Sequence, residues 1–167
     1  MHLVTLDFET YYDTKLSLTK MTTMDYVRHK MFKVWGVGVK IDDGPTEWYG
    51  EDEAETYLNL LDWSNCKLLC HNTPFDGYIL THYYKKQPAA YLDTAAMSRG
   101  RYPGQSASLK HTAERLFPDD ESMRKGEELV NAKGHYDLSP ELEEQIAGYC
   151  IQDVDLTYAI YQELIKD

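Results

Sequence analysis

The sequence predicts a mixed α/β fold in a single domain spanning residues 1–167, a sheet with helices packed against it. Three observations predict it. The apolar pattern runs as three strand-like segments, a helical one, a strand, a helix, a strand, and then helices. Turn chemistry at Asp42-Asp43-Gly44-Pro45 joins two of the strands into an antiparallel hairpin, which enters a partly parallel sheet. A chain of 167 residues, 43% hydrophobic and 27% charged, is long enough to bury one core without disulfide staples. The same balance excludes wholesale disorder, collagen-like sequence and a coiled coil.

The elements follow in order. His2 to Phe8 alternates and is rich in Leu, Val and Thr, which makes a strand. Val34 to Ile41 is the second strand, and Thr46 to Tyr49 returns from the turn as the third. Glu51 to Trp63 has Ala54, Tyr57, Leu58 and Leu61 at helical period, with acids in its first turn. Lys67 to His71 is a short apolar strand. Phe75 to Tyr84 fits a helix, and Ala90 to Asp93 another strand. Arg99 to Ser108 holds Gly100, Pro103 and Gly104 and reads as a loop. Ser108 caps a helix from Leu109 to Leu116, and Glu121 to Val130 is a weaker helical stretch. Ser139-Pro140-Glu141 is a cap, a proline at the first helical position and an acid, opening a helix to Lys166 with an expected break near Gly148.

Charge narrows the function. Seventeen basic against 28 acidic residues leave a net charge of −11, which argues against nonspecific binding of nucleic acid. One class escapes that argument, enzymes that hold divalent cations on clustered carboxylates, where the ion supplies the positive charge. The three cysteines, Cys66, Cys70 and Cys150, form no Cys-x-x-Cys pair and read as buried free thiols. No apolar run approaches membrane-spanning length, and the first residues lack a basic and an apolar signal region. The expectation is a cytoplasmic chain with no membrane partner, in the host cytoplasm if it is viral.

The carboxylates carry the chemistry. Asp7 and Glu9 are two apart in a strand, so both point to one face and can reach one ion. The spacing recurs at Asp119 and Glu121, where a solvated acidic loop is the plainer reading; an apolar strand sets the first pair apart, because acids there are costly unless bound. His71-Asn72-Thr73-Pro74-Phe75-Asp76 follows another apolar strand, with Asn72 as a turn or cap and Asp76 in the first helical turn, a sufficient role for an acid by itself. Tyr149 and Asp153 lie one helical turn apart on one face. Of the 14 tyrosines only Tyr149 has an aspartate four residues on, and Asp155 points elsewhere by helical geometry.

Taken in order, these three pieces resemble the DnaQ-like, or DEDD, 3′–5′ exonucleases, in the subgroup with tyrosine in the third motif. Asp7-Phe8-Glu9-Thr10 is similar to the first motif, His71-Asn72-x-x-Phe75-Asp76 to the second, and Tyr149-x-x-x-Asp153 to the third. Residues 6–13, with Trp35-Gly36-Val37-Gly38-Val39, resemble the proofreading domain of phage-type family A DNA polymerases. The resemblance implies a ribonuclease H-like mixed sheet flanked by helices. It implies two divalent cations, Mg²⁺ or Mn²⁺, held by Asp7, Glu9, Asp76 and Asp153, with Tyr149 positioning the attacking water. Thr10, Asn72 and Phe75 are the expected contacts to the terminal nucleotide, Phe75 being equally suited to the core. His71 and Asp93 are expected to be structural. The apolar wedge common just past the first motif is replaced by Asp13, with Leu16, Leu18 and Met21 as substitutes.

Arg99, Arg101, Lys110, Lys85 and Lys86 are candidate phosphate contacts, and Tyr11, Tyr12 and Tyr102 candidate stacking platforms, although surface or core packing suits each. The function expected is release of nucleoside 5′-monophosphates from single-stranded or frayed DNA 3′ ends, in proofreading or phage DNA metabolism, with a DNA polymerase as partner in cis or in trans. The rivals are a 3′–5′ exoribonuclease and a noncatalytic nucleic-acid-binding or docking module of the same fold.

Overall fold

The computed structural model describes residues 1–126 and 130–166. Its strands are β1 (His2–Thr10), β2 (Val34–Ile41), β3 (Thr46–Gly50), β4 (Cys66–Cys70) and β5 (Ala90–Asp93). Its helices are α1 (Thr23–Arg28), α2 (Glu51–Leu60), α3 (Thr73–Tyr78), α4 (Thr94–Arg101), α5 (Leu109–Leu116) and α6 (Pro140–Leu164). The sheet order is β3-β2-β1-β4-β5. The β1–β2 and β2–β3 pairs are antiparallel, and β1–β4 and β4–β5 parallel. This is the expected hairpin joined to a parallel half, a mixed sheet flanked by helices of ribonuclease H-like type.

β1 lies at the centre and sorts its residues by period two. Val4, Leu6 and Phe8 are buried in the main core with Leu58, Leu68, Ile79 and Leu80, and Phe8 stacks on Tyr84 with ring centroids 5.5 Å apart. The opposite parity, Thr5, Asp7 and Glu9, shares the face of the sheet against which α6 packs. α6 opens as the sequence predicts: the Ser139 side chain accepts from the Leu142 amide, and Pro140 occupies the first turn. A second apolar cluster of Leu109, Ala113, Leu156 and Ile160 ties α5 to α6. Among the described residues no helix is long and apolar enough to cross a membrane.

Several expectations need correction. α6 runs unbroken through Gly148, where an added Cβ would meet nothing within 4 Å, so exposed glycine weakens the helix without ending it. Arg99 and Gly100 belong to α4, which Asp93 caps by accepting from the Ala95 amide; the loop starts only after Arg101. The second-motif helix switches to a π-helical turn over Ile79–Tyr83, and α2 stops at Leu60 ahead of a 3₁₀ turn at Trp63–Asn65. Glu121–Met123 is a single 3₁₀ turn and Arg124 to Gly126 is not helical, because the Arg124 guanidinium folds back onto the carbonyls of Phe117 and Pro118 at 2.8 and 2.6 Å. Residues 127–129 of that expected helix lie outside the described residues. α1 has no counterpart in the sequence reading.

Candidate active site

Asp7 and Glu9 stand side by side on β1, and across the antiparallel ladder their partners are Gly38 and Gly36. Glycine is required at both. A Cβ on Gly38 would lie 2.8 Å from Cys150 Sγ, and one on Gly36 would lie 2.2 Å from the Trp48 ring. The bare strand lets α6 approach until the Cys150 thiol donates to the Asp7 carbonyl at 3.3 Å and lies 3.6 Å from Asp7 Oδ2. A register shift between Glu9 and Thr10 interrupts the ladder beside the acids before it resumes at Thr10 and Val34.

The other acids come from two further elements. Pairing of β1 with β4 stops at Thr5 and Leu69, and beyond it Asp76, from the first turn of α3, accepts from the Phe8 amide at 2.9 Å. Asp76 is 2% exposed. From α6, Tyr149 and Asp153 enter a cleft of about 370 Å³ that Asp7, Glu9, Tyr12 and Lys125 also line. Four carboxylates from three separate stretches of chain thus converge. Asp155 faces away, accepting from the Thr46 hydroxyl at 2.5 Å.

The electrostatics follow from that crowding. Burial, and then the charge of Asp153, pushes the Asp7 carboxyl up to about 6. Burial also holds Glu9 well above the carboxylate range, with Asp7, Asp153 and Asp76 adding to it. Asp76 is raised by burial and by Asp7, against the Phe8 amide that steadies its charged form. Such a cluster favours protons or cations over free charge. Its donors are hard carboxylate oxygens: one oxygen each of Asp7 and Glu9 lies with Cys150 Sγ inside a 4.8 Å span. That set fits a divalent ion of the Mg²⁺ or Mn²⁺ kind.

The remaining predicted residues fall in two places. Thr10 and Phe75 gather around Tyr26, the first bonded to its hydroxyl at 2.8 Å and the second with its ring 6.1 Å away. Asn72 is exposed at the turn before α3 with φ 76°; its side chain makes no cap bond, and its backbone N–H donates to the Asp93 carboxylate. His71 is held by Thr94 and the Ala107 carbonyl, both at 2.8 Å, and burial pushes its pKa down, as suits a structural residue. Asp13 anchors a turn by accepting from Tyr11 and from the amides of Lys15 and Leu16; of the substitute wedges, Leu16 is buried, Met21 half-buried and Leu18 exposed. Tyr11 is core, and Tyr102 lies under the Arg115 guanidinium.

Sequence reasoning missed Lys125, whose Nζ is 2.8 Å from Asp153 Oδ2. A residue 28 positions from its partner leaves no periodic signal.

A profile of 3′–5′ exonucleases matches residues 44–167, well over half the chain and inclusive of Asp76, Tyr149 and Asp153. The chain belongs to the 3′–5′ exonuclease family. No curated protein matches this exonuclease, but solved structures share its fold. Brucella melitensis NrnC is 20% identical with a TM-score of 0.63 over 97% of this chain and 71% of its own. NrnC with bound Mg²⁺ is 19% identical with a TM-score of 0.61, covering 97% and 73%. Trypanosoma brucei RNase D is 14% identical with a TM-score of 0.66, covering 99% of this chain and 58% of its own. The exonuclease is therefore a nuclease by family, on a fold shared with these enzymes.

Proposed function

We propose that this 3′–5′ exonuclease belongs to the tyrosine subgroup of the DnaQ-like enzymes and depends on two divalent cations, Mg²⁺ or Mn²⁺. Its substrate in this reading is the 3′ end of single-stranded or frayed DNA, which it shortens by releasing nucleoside 5′-monophosphates. The observation that carries the reading is that Asp7, Glu9, Tyr149 and Asp153 line one cleft, with the buried Asp76 carboxylate held behind it on the Phe8 amide.

In that reading the four carboxylates hold the cations, which would activate a water and take up charge on the leaving 3′ oxygen. The protein does the rest. Tyr149 orients the water by hydrogen bond, a phenol being a poor base near neutral pH. Phe8 and Asp76 lock β1 against α3, fixing Asp7 and Glu9 relative to the third acid. Thr10, Phe75 and Asn72 are the proposed contacts to the terminal nucleotide, with Leu18 the exposed candidate to wedge its base. The likeness to phage-type family A polymerases supports a proofreading role beside a polymerase, in cis or in trans, in the cytoplasm.

A second reading, exoribonuclease, draws support from the fold neighbours, one solved as NrnC bound to pGG and another being RNase D. One experiment separates the two. DNA and RNA oligomers labelled at the 5′ or 3′ end are digested with Mg²⁺, Mn²⁺ or chelator. The proposal expects stepwise shortening of 5′-labelled DNA, immediate mononucleotide from 3′-labelled DNA, and neither with chelator. Faster digestion of RNA selects the second reading, and digestion from the 5′ end or without metal contradicts both.

A further inference from the structure

We propose that Lys125 is a built-in counter-ion of the acidic cleft, a positioning residue that holds Asp153 when divalent cations are scarce and competes with them when they arrive. The inference rests on the reading of Asp153 as a cation ligand.

Lys125 is held in place from both sides. Before it, the Arg124 carbonyl accepts from the Gln152 side chain at 2.5 Å, and the Arg124 guanidinium donates to the carbonyls of Phe117, Pro118 and Asp120 in the loop after α5. After it, Gly126 sits against the Tyr149 ring, so close that an added Cβ would lie 2.6 Å from Cε1. The strap therefore rests on one turn of α6, Tyr149 to Asp153, and delivers one ammonium to the Asp153 carboxylate. The ion pair is shielded, with side-chain exposures of 24% for Lys125 and 17% for Asp153. Asp7 and Glu9 add to the field that Lys125 feels.

Competition follows from space and charge. An ammonium 2.8 Å from Asp153 Oδ2 occupies the region that an ion on the same oxygen would fill. Magnesium takes oxygen ligands at about 2.1 Å, so both cations on one oxygen would stand within a few ångströms in a shielded cleft and repel. Binding of one weakens binding of the other, and the coupling is reciprocal. Lys125 thus stabilises four crowded acids in the metal-free enzyme at the expense of cation affinity.

The test is calorimetric titration of the full chain with Mn²⁺, without nucleic acid, beside thermal melting in chelator and in saturating Mn²⁺. The variants are Lys125→Met, Lys125→Gln, Lys125→Arg and, as a control of equal charge change at the far end of β4, Lys67→Met. Expected are Mn²⁺ binding about tenfold tighter in the two neutral Lys125 variants, a lower metal-free melting point that Mn²⁺ restores, and near wild-type behaviour in Lys125→Arg and Lys67→Met. Coincident isotherms for wild type and the neutral variants, or equal tightening in Lys67→Met, overturn the inference and leave the reading of the site standing. A wild type that binds no Mn²⁺ overturns both.

Discussion

Asp7 and Gly38 face each other across the β1–β2 ladder, and the missing side chain at Gly38 is what admits Cys150 to the carboxylate. A Cβ there would press on Cys150 Sγ at 2.8 Å and Val154 Cγ2 at 3.1 Å, in the packing of sheet on helix. Gly38→Ala is expected to cost about 1–3 kcal/mol of stability and to reduce activity by displacing Tyr149 and Asp153 from β1. Gly100→Ala, with nothing within 4 Å in α4, should be neutral or slightly stabilising. Chemical denaturation of both variants checks this, and equal effects would refute the role given to close approach.

In the proposed reading Tyr149 positions the attacking water and Asp153 holds a cation, so Tyr149→Phe should retain more activity than Asp153→Ala. Losses of about 10- to 100-fold for the first and at least tenfold more for the second are expected in single-turnover assays. Equal losses would give the phenol a larger part than positioning.

The raised acids set a pH dependence. In the folded, metal-free chain Asp7 keeps its proton from its ordinary 3.8 up to about 6, so the folded form binds more protons than the unfolded across that window. Stability contributed by this group therefore falls as pH rises through it and is level above. His71, pushed down by burial, runs the other way, so the quantity to measure is the wild-type minus Asp7→Asn difference in melting point in chelator. That difference should decline with rising pH; an increase would contradict the raised Asp7 carboxyl. Divalent cations take ionised carboxylates, so Mn²⁺ affinity should rise with pH through about 6.

How much of this was written in the sequence depends on range. Elements with their own punctuation were legible to the residue: Val34–Ile41 ahead of its turn, Leu109–Leu116 after Ser108, and the start of α6 at Ser139-Pro140. Where punctuation misled, it did so because exposed glycine costs a helix little: Gly100 and Gly148 both sit in unbroken helices. The three acidic pieces were visible by local spacing and order. Their convergence was implied by the family resemblance and not by spacing, since Asp76 reaches Phe8 across 68 positions, and Lys125, which reaches Asp153 across 28, left no signal. Gly36 and Gly38 entered the resemblance without a physical reason, because their purpose lies in Trp48 and Cys150, on other elements.

The most direct measurement is Mg²⁺-dependent digestion of 5′-labelled single-stranded DNA by the wild type and by Asp7→Ala, with circular dichroism confirming that the variant is folded. Loss of activity by about three orders of magnitude or more in a folded variant is the predicted result. A folded Asp7→Ala enzyme that digests DNA at the wild-type rate would contradict the claim that these gathered carboxylates are the catalytic centre.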